Sequence, residues 1–368
     1  MGKKFTIGVL IGNVHTAHPK DLMRGIRAAA SGMDVNMIYF LGTQSVRFNQ
    51  KFALEDFDYQ YNTVYDYAKL AKVDVLIIAY GSLCIFQENE DKQAFLDKFA
   101  GIPYVLLEDA TDDPRGIYVM VDNYGGMQKC VEHLIIEHHL KHLVYLGGPE
   151  DNQDAIERKA AFLNVMAEHH LPVTPEMMAV GDYSEFVDNL VEQLLRDNPD
   201  AEAIISANDE MTVACYRVCK AHGLRIGKDI LITGFDDVER ARYSNPPLTT
   251  VSQDAYKMGQ IAVEKAVDIC AGRPVESVRL DAELIIRESC GCKVTRRAKE
   301  KADEKTELLH IIDELRLFQH KSWLGPFLIR DLMQEAENEK SFYRKSGEVF
   351  YHLGIRSSLL YLLEQPVT

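Results

Sequence analysis

Short β-branched runs alternate with amphipathic stretches over about the first 290 residues, and this alternation restricts the possible folds more than any other feature of the chain. Phe5-Thr6-Ile7-Gly8-Val9-Leu10-Ile11 is brief, apolar and closed by Gly12-Asn13, the pattern of a strand buried on both faces. Asp21–Ala30 follows with Leu22, Ile26 and Ala29 at helical spacing. The same reading predicts strands at Val35–Phe40, Val75–Ala79, Tyr104–Leu107, His142–Leu146, Ala203–Ser206, Ile230–Thr233 and Arg279–Ile286. Helices are expected at Tyr61–Ala71, Gly125–Glu137, Asp154–His169, Glu185–Asn198, Asp209–Ala221 and Ala255–Ala271. Such alternation requires parallel sheets joined by right-handed crossovers. There are too many strands for one comfortable sheet, and a natural break falls near Val121-Asp122-Asn123. The expected fold class is therefore α/β, with two doubly wound parallel-sheet lobes. Ligands of such sheets bind outside the carboxyl ends of the strands, so function is sought there.

Composition narrows the classes of function. Of 368 residues, 46% are hydrophobic and 26% charged, which excludes a disordered or fibrous chain. The net charge of −15 sits entirely in residues 1–292, which carry −16, while residues 293–368 carry +1. An acidic body repels phosphate backbones and anionic lipid heads, so neither nucleic acid nor membrane is an expected partner of that part. The seven cysteines, an odd number, are scattered as in a reducing compartment. The apolar run at the start is too short for a secretory segment, and no stretch approaches the roughly 18 apolar residues of a spanning helix. A cytoplasmic protein is expected.

After Cys292 the character changes. Lys293–Lys305 is a charged run, and Leu308, Ile311, Leu315 and Phe318 then form a seam at 3-4-3 spacing. A coiled coil and a helix docked on the body both fit it. Gly325-Pro326 ends the seam, a helix is expected over Phe327–Glu337, and Ile355–Leu363 reads as a strand opening a further domain that is cut short.

Motifs of catalysis are missing from the sequence. It contains no phosphate loop, no dinucleotide fingerprint, no nucleophile elbow and no H-E-x-x-H. His138 and His142 have i, i+4 spacing, but the segment leaves a helix for a strand, which defeats a shared metal. Cys290-x-Cys292 is tighter than a zinc knuckle, and Cys215 and Cys219 read as small buried hydrophobes on one helix face. No metal and no cofactor are expected. What remains is a polar and aromatic set at predicted strand ends: His15, His18, Tyr80, Ser82, Asp109, Arg158, Tyr183, Asn208, Asp209, Asp236, Asp237 and Gln253. Asn208-Asp209 also reads as a helix N-cap, and Asp236-Asp237 as caps of the following turn. Taken together, an aromatic face, a guanidinium, carboxylates and amides suit a sugar or similar polyol, whose hydroxyls need acceptors and whose C–H face needs a ring.

Two long segments add a resemblance. VDNYGGMQKCVEHLIIEHHLKHLVYLGGPEDNQDAIERKAAFLNVM and AIISANDEMTVACYRVCKAHGLRIGKDILITGFDDVERARYSNPPLTTVSQDAYKMGQIA resemble the ligand-binding domain of LacI/GalR-type transcriptional regulators. The A-N-D-E-M, G-F-D-D and P-P-L-T-T-V blocks carry it most strongly, and it covers about residues 5–290. The resemblance implies a type 1 periplasmic-binding-protein-like sensor with crossings near Val121–Asn123, Thr250–Gln253 and Asp281–Glu283. The lobes would be residues 1–122 plus 252–282 and residues 123–251 plus 283–292, with residues 293–368 as a helical extension. It further implies that Arg158 binds hydroxyls or a carboxylate, that Tyr183 stacks, that Asn208 and Asp236 accept hydroxyl hydrogen bonds, and that Gln253 lines the cleft. The sequence departs from the family in three respects: no helix-turn-helix precedes the first strand, Thr16-Ala17-His18-Pro19 replaces Asn-Pro-Phe-Phe, and 76 residues follow the core. Extensions of this kind resemble linkers to an AraC-type DNA-binding or GGDEF output module, and the implied protein is a homodimer that senses a small-molecule effector and touches DNA only through that module. A transport receptor, an enzyme using Asp236 and Asp109 on a bound sugar, and a scaffold that only dimerises are the rival readings.

Overall fold

The computed structural model describes residues 4–14, 17–42, 55–84, 89–111 and 113–293. In chain order these give β1 (Phe5–Gly12), α1 (Ala17–Ser31), β2 (Val35–Gly42), α2 (Glu55–Leu70), β3 (Val75–Ile78), α3 (Tyr80–Leu83), α4 (Asn89–Asp97), β4 (Tyr104–Leu107) and β5 (Gly116–Val121). The chain continues with α5 (Asn123–Ile136), β6 (Leu143–Gly147), α6 (Gln153–Glu168), β7 (Met178–Val180), α7 (Asp188–Asp197), β8 (Ala203–Ser206) and α8 (Asp209–Ala221). Last come β9 (Leu231–Asp236), α9 (Glu239–Tyr243), β10 (Thr249–Ser252), α10 (Ala255–Cys270), β11 (Val278–Leu280) and β12 (Glu283–Ile285). Position 15 and the whole extension, with its Leu308–Phe318 seam, Phe327–Glu337 and Ile355–Leu363, lie outside the described residues.

The strands form two sheets of the expected doubly wound α/β class. One runs β2-β1-β3-β4-β5-β11 with every pair parallel; the other runs β7-β6-β8-β9-β10-β12, parallel except for β12 against β10. In both, order reverses after the second strand in the row, which opens a crevice at the strands' carboxyl ends. The chain passes between the sheets at Asp122, at Gln253-Asp254 and at Asp281-Ala282. Two of these passages are tied together, because Asp122 N donates to Leu280 O at 2.8 Å.

Alternation along each strand sorts the core. Ile7, Val9 and Ile11 of β1 join one apolar cluster with Val75, Ile77, Val105 and Leu107, while Leu10, Leu76, Ile78 and Leu106 join Phe40, Tyr65, Phe95 and Phe99 on the other face. Helices α1 and α10 cross so closely that glycine is required: a Cβ on Gly25 would lie 1.9 Å from Tyr256 O, and one on Gly259 would lie 2.4 Å from Leu22 O.

The sequence reading needs correcting at several elements. Arg279–Ile286 is two short strands in different sheets, because the chain changes sheet at Asp281-Ala282. Strands β5, β7 and β10 were not anticipated. In β10 the cause is plain: Thr249 and Thr250 are fully buried, and polar residues at core positions erase the apolar signal. Their hydroxyls are satisfied, since Thr250 Oγ1 donates to Asp209 Oδ1 at 2.6 Å and Thr249 Oγ1 donates to Cys290 Sγ at 3.1 Å.

Candidate functional site

The carboxyl ends of the strands carry backbone that L-residues adopt reluctantly. Asn13 after β1, Glu108 after β4, Tyr183 after β7, Asp236 and Asp237 at the end of β9, and Asp254 after β10 all have φ between +46° and +122°. Such conformations cost about 1–3 kcal/mol each and gather where geometry serves a ligand rather than stability.

Arg158 is the centre of this region. It sits on α6, started by the Asn152 cap whose Oδ1 accepts from Ala155 N at 2.9 Å, and only 2% of its surface is exposed. Its Nε donates to Asn123 Oδ1 at 2.9 Å and its Nη1 to Ala207 O at 2.6 Å. Asp154 lies 3.5 Å from Nη2 and Asp236 lies 3.7 Å from Nη1. The guanidinium stacks over Phe235 at 3.8 Å and faces Tyr183 at 6.0 Å. Buried charge this heavily partnered holds a fixed direction.

The first sheet contributes an ion pair to the same region. His18 Nε2 donates to Glu108 Oε1 at 2.7 Å, and Glu108 Oε2 accepts from Ser82 N at 2.7 Å and from Ser82 Oγ. Burial works against the charged imidazole, but the Glu108 carboxylate beside it, with Asp236 and Asp154 further off, outweighs that and holds the His18 pKa up at about 9. Burial would raise Glu108, yet His18 and Ser82 bring it below the usual range. On the second sheet's side burial dominates: it pushes Asp154 up to about 7 against the pull of Arg158, and it raises Asp236 despite Arg158, His18 and Gln253. The site therefore holds more carboxylate than its cations can balance.

The other residues expected at strand ends fall into place as follows. Gln253 is buried and its Nε2 donates to Asp236 Oδ1. Asn208 Oδ1 caps α8 by accepting from Met211 N at 3.0 Å, while its Nδ2 donates to Tyr183 O at 3.1 Å. Tyr183 OH donates to Asn152 Oδ1 at 3.3 Å. Asp209 lies deeper than a cleft residue, accepting from Val238 N at 3.0 Å as well as from Thr250. The capping role read for Asp236-Asp237 is thus corrected: the turn's amide is met by Asp209, and Asp237 pairs instead with Arg242 at 3.0 Å and with Arg287. Tyr80 and Asp109 line a cavity of about 990 Å³ with Thr111, Glu150, Gln153 and Arg279, drawn from both sheets' sides. Asp109 is paired there with Lys92 at 3.0 Å. None of His18, Arg158, Tyr183, Asn208, Asp236 and Gln253 lines that cavity; His18 is bonded to Glu108, while Arg158 links Asp236 and Gln253 on one side and Tyr183 with Asn208 on the other.

Sequence reasoning missed Glu108, Asn123, Asp154 and Phe235. Asp154 had a usable signal, since it stands i, i+4 to Arg158 on one helix. Asn123 had one too, because it opens α5 directly after the first passage between sheets. The His138–His142 pair does not form: His142 Nδ1 faces Asp200 at 3.4 Å, and His138 turns to His133.

Comparison with known proteins agrees with this architecture. Residues 131–290 match a family described as a periplasmic binding protein-like domain. The HTH-type transcriptional regulator CelR of Thermobifida fusca is 30% identical over 57% of this chain and 63% of its own length. The HTH-type transcriptional repressor PurR of Aliivibrio fischeri MJ11 is 29% identical over 52% of this chain and 56% of its own. The match thus spans less than two thirds of each of these relatives. Among solved structures, a LacI-family regulatory protein from Chloroflexus aggregans superposes with a TM-score of 0.62 at 25% identity, covering 77% of this chain and 98% of that one. A CelR–cellobiose complex gives 0.65 at 23% identity, covering 77% and 84%.

Proposed function

We propose, on the premise that this chain carries a ligand-binding domain of the LacI/GalR type, that it senses a small polar metabolite of the sugar or polyol class held between its two sheets. One observation carries the reading: the His18–Glu108 pair from the first sheet's side lies near enough to Asp154 and Asp236, the carboxylates beside Arg158 on the second sheet's side, for each group to feel the other's charge. A ligand shifts an open–closed equilibrium only as far as its affinities for the two forms differ. Groups contributed from both sides supply that difference, because they meet the ligand together only when the lobes are closed. Excess carboxylates and the Asn208 and Gln253 amides accept hydroxyl hydrogen bonds, and Tyr183 offers a ring.

The signal would leave through the segment after Cys292 to an output module of the AraC-type DNA-binding or GGDEF kind, within a cytoplasmic homodimer whose contact with DNA runs through that module alone. Support for regulation rather than catalysis comes from the relatives, which are named as transcriptional regulators. Among the described residues no helix is long and apolar enough to cross a membrane.

The test is thermal unfolding of the full chain against mono- and disaccharides, cellobiose included, and sugar alcohols, with nucleosides as a separate arm. A ligand at one hundred times its Kd stabilises by about 2.7 kcal/mol, roughly 3–5 °C for a protein of this size. Asp236→Asn should reduce the shift at least tenfold in ligand concentration. A flat response to every carbohydrate would sink the polyol reading, and a response confined to nucleosides would replace it.

A further inference from the structure

Away from the cleft, the C-terminal turn of α5 and the segment after β12 bring two imidazoles and two thiols together. His133, His138, Cys290 and Cys292 each point one ligand atom inward, and all four atoms lie within 4.8 Å of one another. His133 Nε2 is 3.3 Å from His138 Nε2, 3.4 Å from Cys290 Sγ and 3.7 Å from Cys292 Sγ, and His138 Nε2 is 3.4 Å from Cys292 Sγ.

Hydrogen bonding does not account for this arrangement. An imidazole Nε2 has one in-plane lone pair or one proton, hence one partner along its axis, yet His133 Nε2 has three neighbours within 3.7 Å. A single cation between them satisfies all four. For zinc, with Zn–N about 2.0–2.1 Å and Zn–S about 2.3 Å, the edges of a tetrahedron come to about 3.3 Å for N···N and about 3.6 Å for N···S. The observed 3.3, 3.4, 3.4 and 3.7 Å follow that pattern.

The chain is shaped for it. Gly291 has φ +87°, which turns the backbone sharply between the two cysteines and lets a C-x-C pair, too tight when read as extended sequence, present both sulfurs to one side. Its amide is tied to Glu288 O at 3.0 Å. Outside the four ligand atoms, Thr249 Oγ1 donates to Cys290 Sγ at 3.1 Å while accepting from Arg287 N at 2.9 Å, the outer-shell support that orients a thiolate. His133 and His138 stand at H-x₄-H spacing, within the ordinary range for zinc ligands, so the signal was in the sequence but one turn earlier than the His138–His142 pair.

We propose that His133, His138, Cys290 and Cys292 form a tetrahedral Cys₂His₂ site for a zinc ion. Four protein ligands leave no open position, so the ion is structural. It joins the end of α5 to residues 290–292, whose own bonds run to Thr249 and to Glu288 and whose neighbour Ser289 is anchored to the sheet: Ile232 N donates to Ser289 O at 3.0 Å, and Thr249 N donates to Ser289 Oγ at 2.8 Å. The ion would therefore fix the backbone where the chain leaves the sensor core, independently of what fills the cleft.

The experiment uses the full chain purified under reducing conditions. Elemental analysis should find one zinc per chain, and exchange into cobalt(II) should give thiolate charge-transfer bands and the visible bands of tetrahedral cobalt. His138→Gln and Cys292→Ser, both on the partly exposed side of the cluster, should weaken cobalt binding at least tenfold, with Cys270→Ser as the unaffected control. Chelation should speed hydrogen exchange at residues 287–293 and leave β1 to β5 unchanged. Three results would overturn the proposal: no tetrahedral cobalt spectrum in the folded wild type, bands that survive in both variants, or a Cys290–Cys292 disulfide in the reduced preparation.

Discussion

Replacing Arg158 by Met tests the polar network without knowing the ligand. Met keeps much of the apolar volume over Phe235, which the guanidinium covers at 3.8 Å, but removes the bonds to Asn123 and Ala207 and strips Asp154 and Asp236 of their nearest cation. Removing one partner of a buried pair costs about 3–5 kcal/mol, because the remaining charge is left without compensation. For a protein of this size that lowers the Tm by roughly 4–8 °C. The loss should shrink at acid pH, where the orphaned carboxyls take up protons, and adding Asp236→Asn should restore about 1–3 kcal/mol. Urea unfolding at pH 5 and pH 8 measures each term. A single variant that loses under 1 kcal/mol, or a double variant whose loss is the plain sum, would show that Arg158 is not the electrostatic centre.

Three further outcomes follow from the geometry. His18 binds its proton more tightly folded, with a pKa of about 9 against 6.5, so its stabilisation is full below pH 6.5 and is lost as pH rises towards 9. For this part-buried ring that is about 1–2 kcal/mol after solvent screening, and His18→Gln should flatten the fall in urea midpoint over that window. Asp154, raised to about 7, costs stability between about pH 4 and 7, where the unfolded carboxyl has ionised and the folded one still holds its proton, and a polyol hydroxyl donating to it favours the ionised form. The thermal shift given by a saturating sugar should therefore be larger at pH 8 than at pH 6; equal shifts would remove Asp154 from the contact. Gly25→Ala would force a Cβ to 1.9 Å from Tyr256 O, and prising α1 from α10 should cost about 1–3 kcal/mol in chemical unfolding; an unchanged midpoint would mean that the helix crossing yields freely.

The sheets were legible because their strands are buried on both faces, so Val75–Ile78 and Tyr104–Leu107 read as unbroken apolar runs with nothing to dilute them. Where a core position is polar the same logic fails: Thr249 and Thr250 hid β10, although their hydroxyls are bonded as firmly as any buried group requires. In the cleft, residue type was informative and position was not. Arg158, Asp236 and Gln253 stood out as polar residues at predicted strand ends, whereas Glu108 stands beside Asp109 in sequence and pairs with His18 on backbone at φ +71°, a turn no residue pattern announces.

That distinction extends to the four-residue cluster. Metal motifs are recognised by spacing along the chain, which works when ligands arrive in pairs on one hairpin. Here one pair closes a helix and the other follows the last strand of the same sheet, about 150 residues later, so only the doubly wound topology joins them. The same topology places His18 and Glu108 opposite Asp154 and Asp236. Both sites thus depend on long-range register, and both concentrate unfavourable terms: left-handed backbone in one, crowded thiols and imidazoles in the other. Left-handed backbone persists only where the surrounding structure over-determines it, and at these strand ends that structure is the meeting of segments distant in sequence.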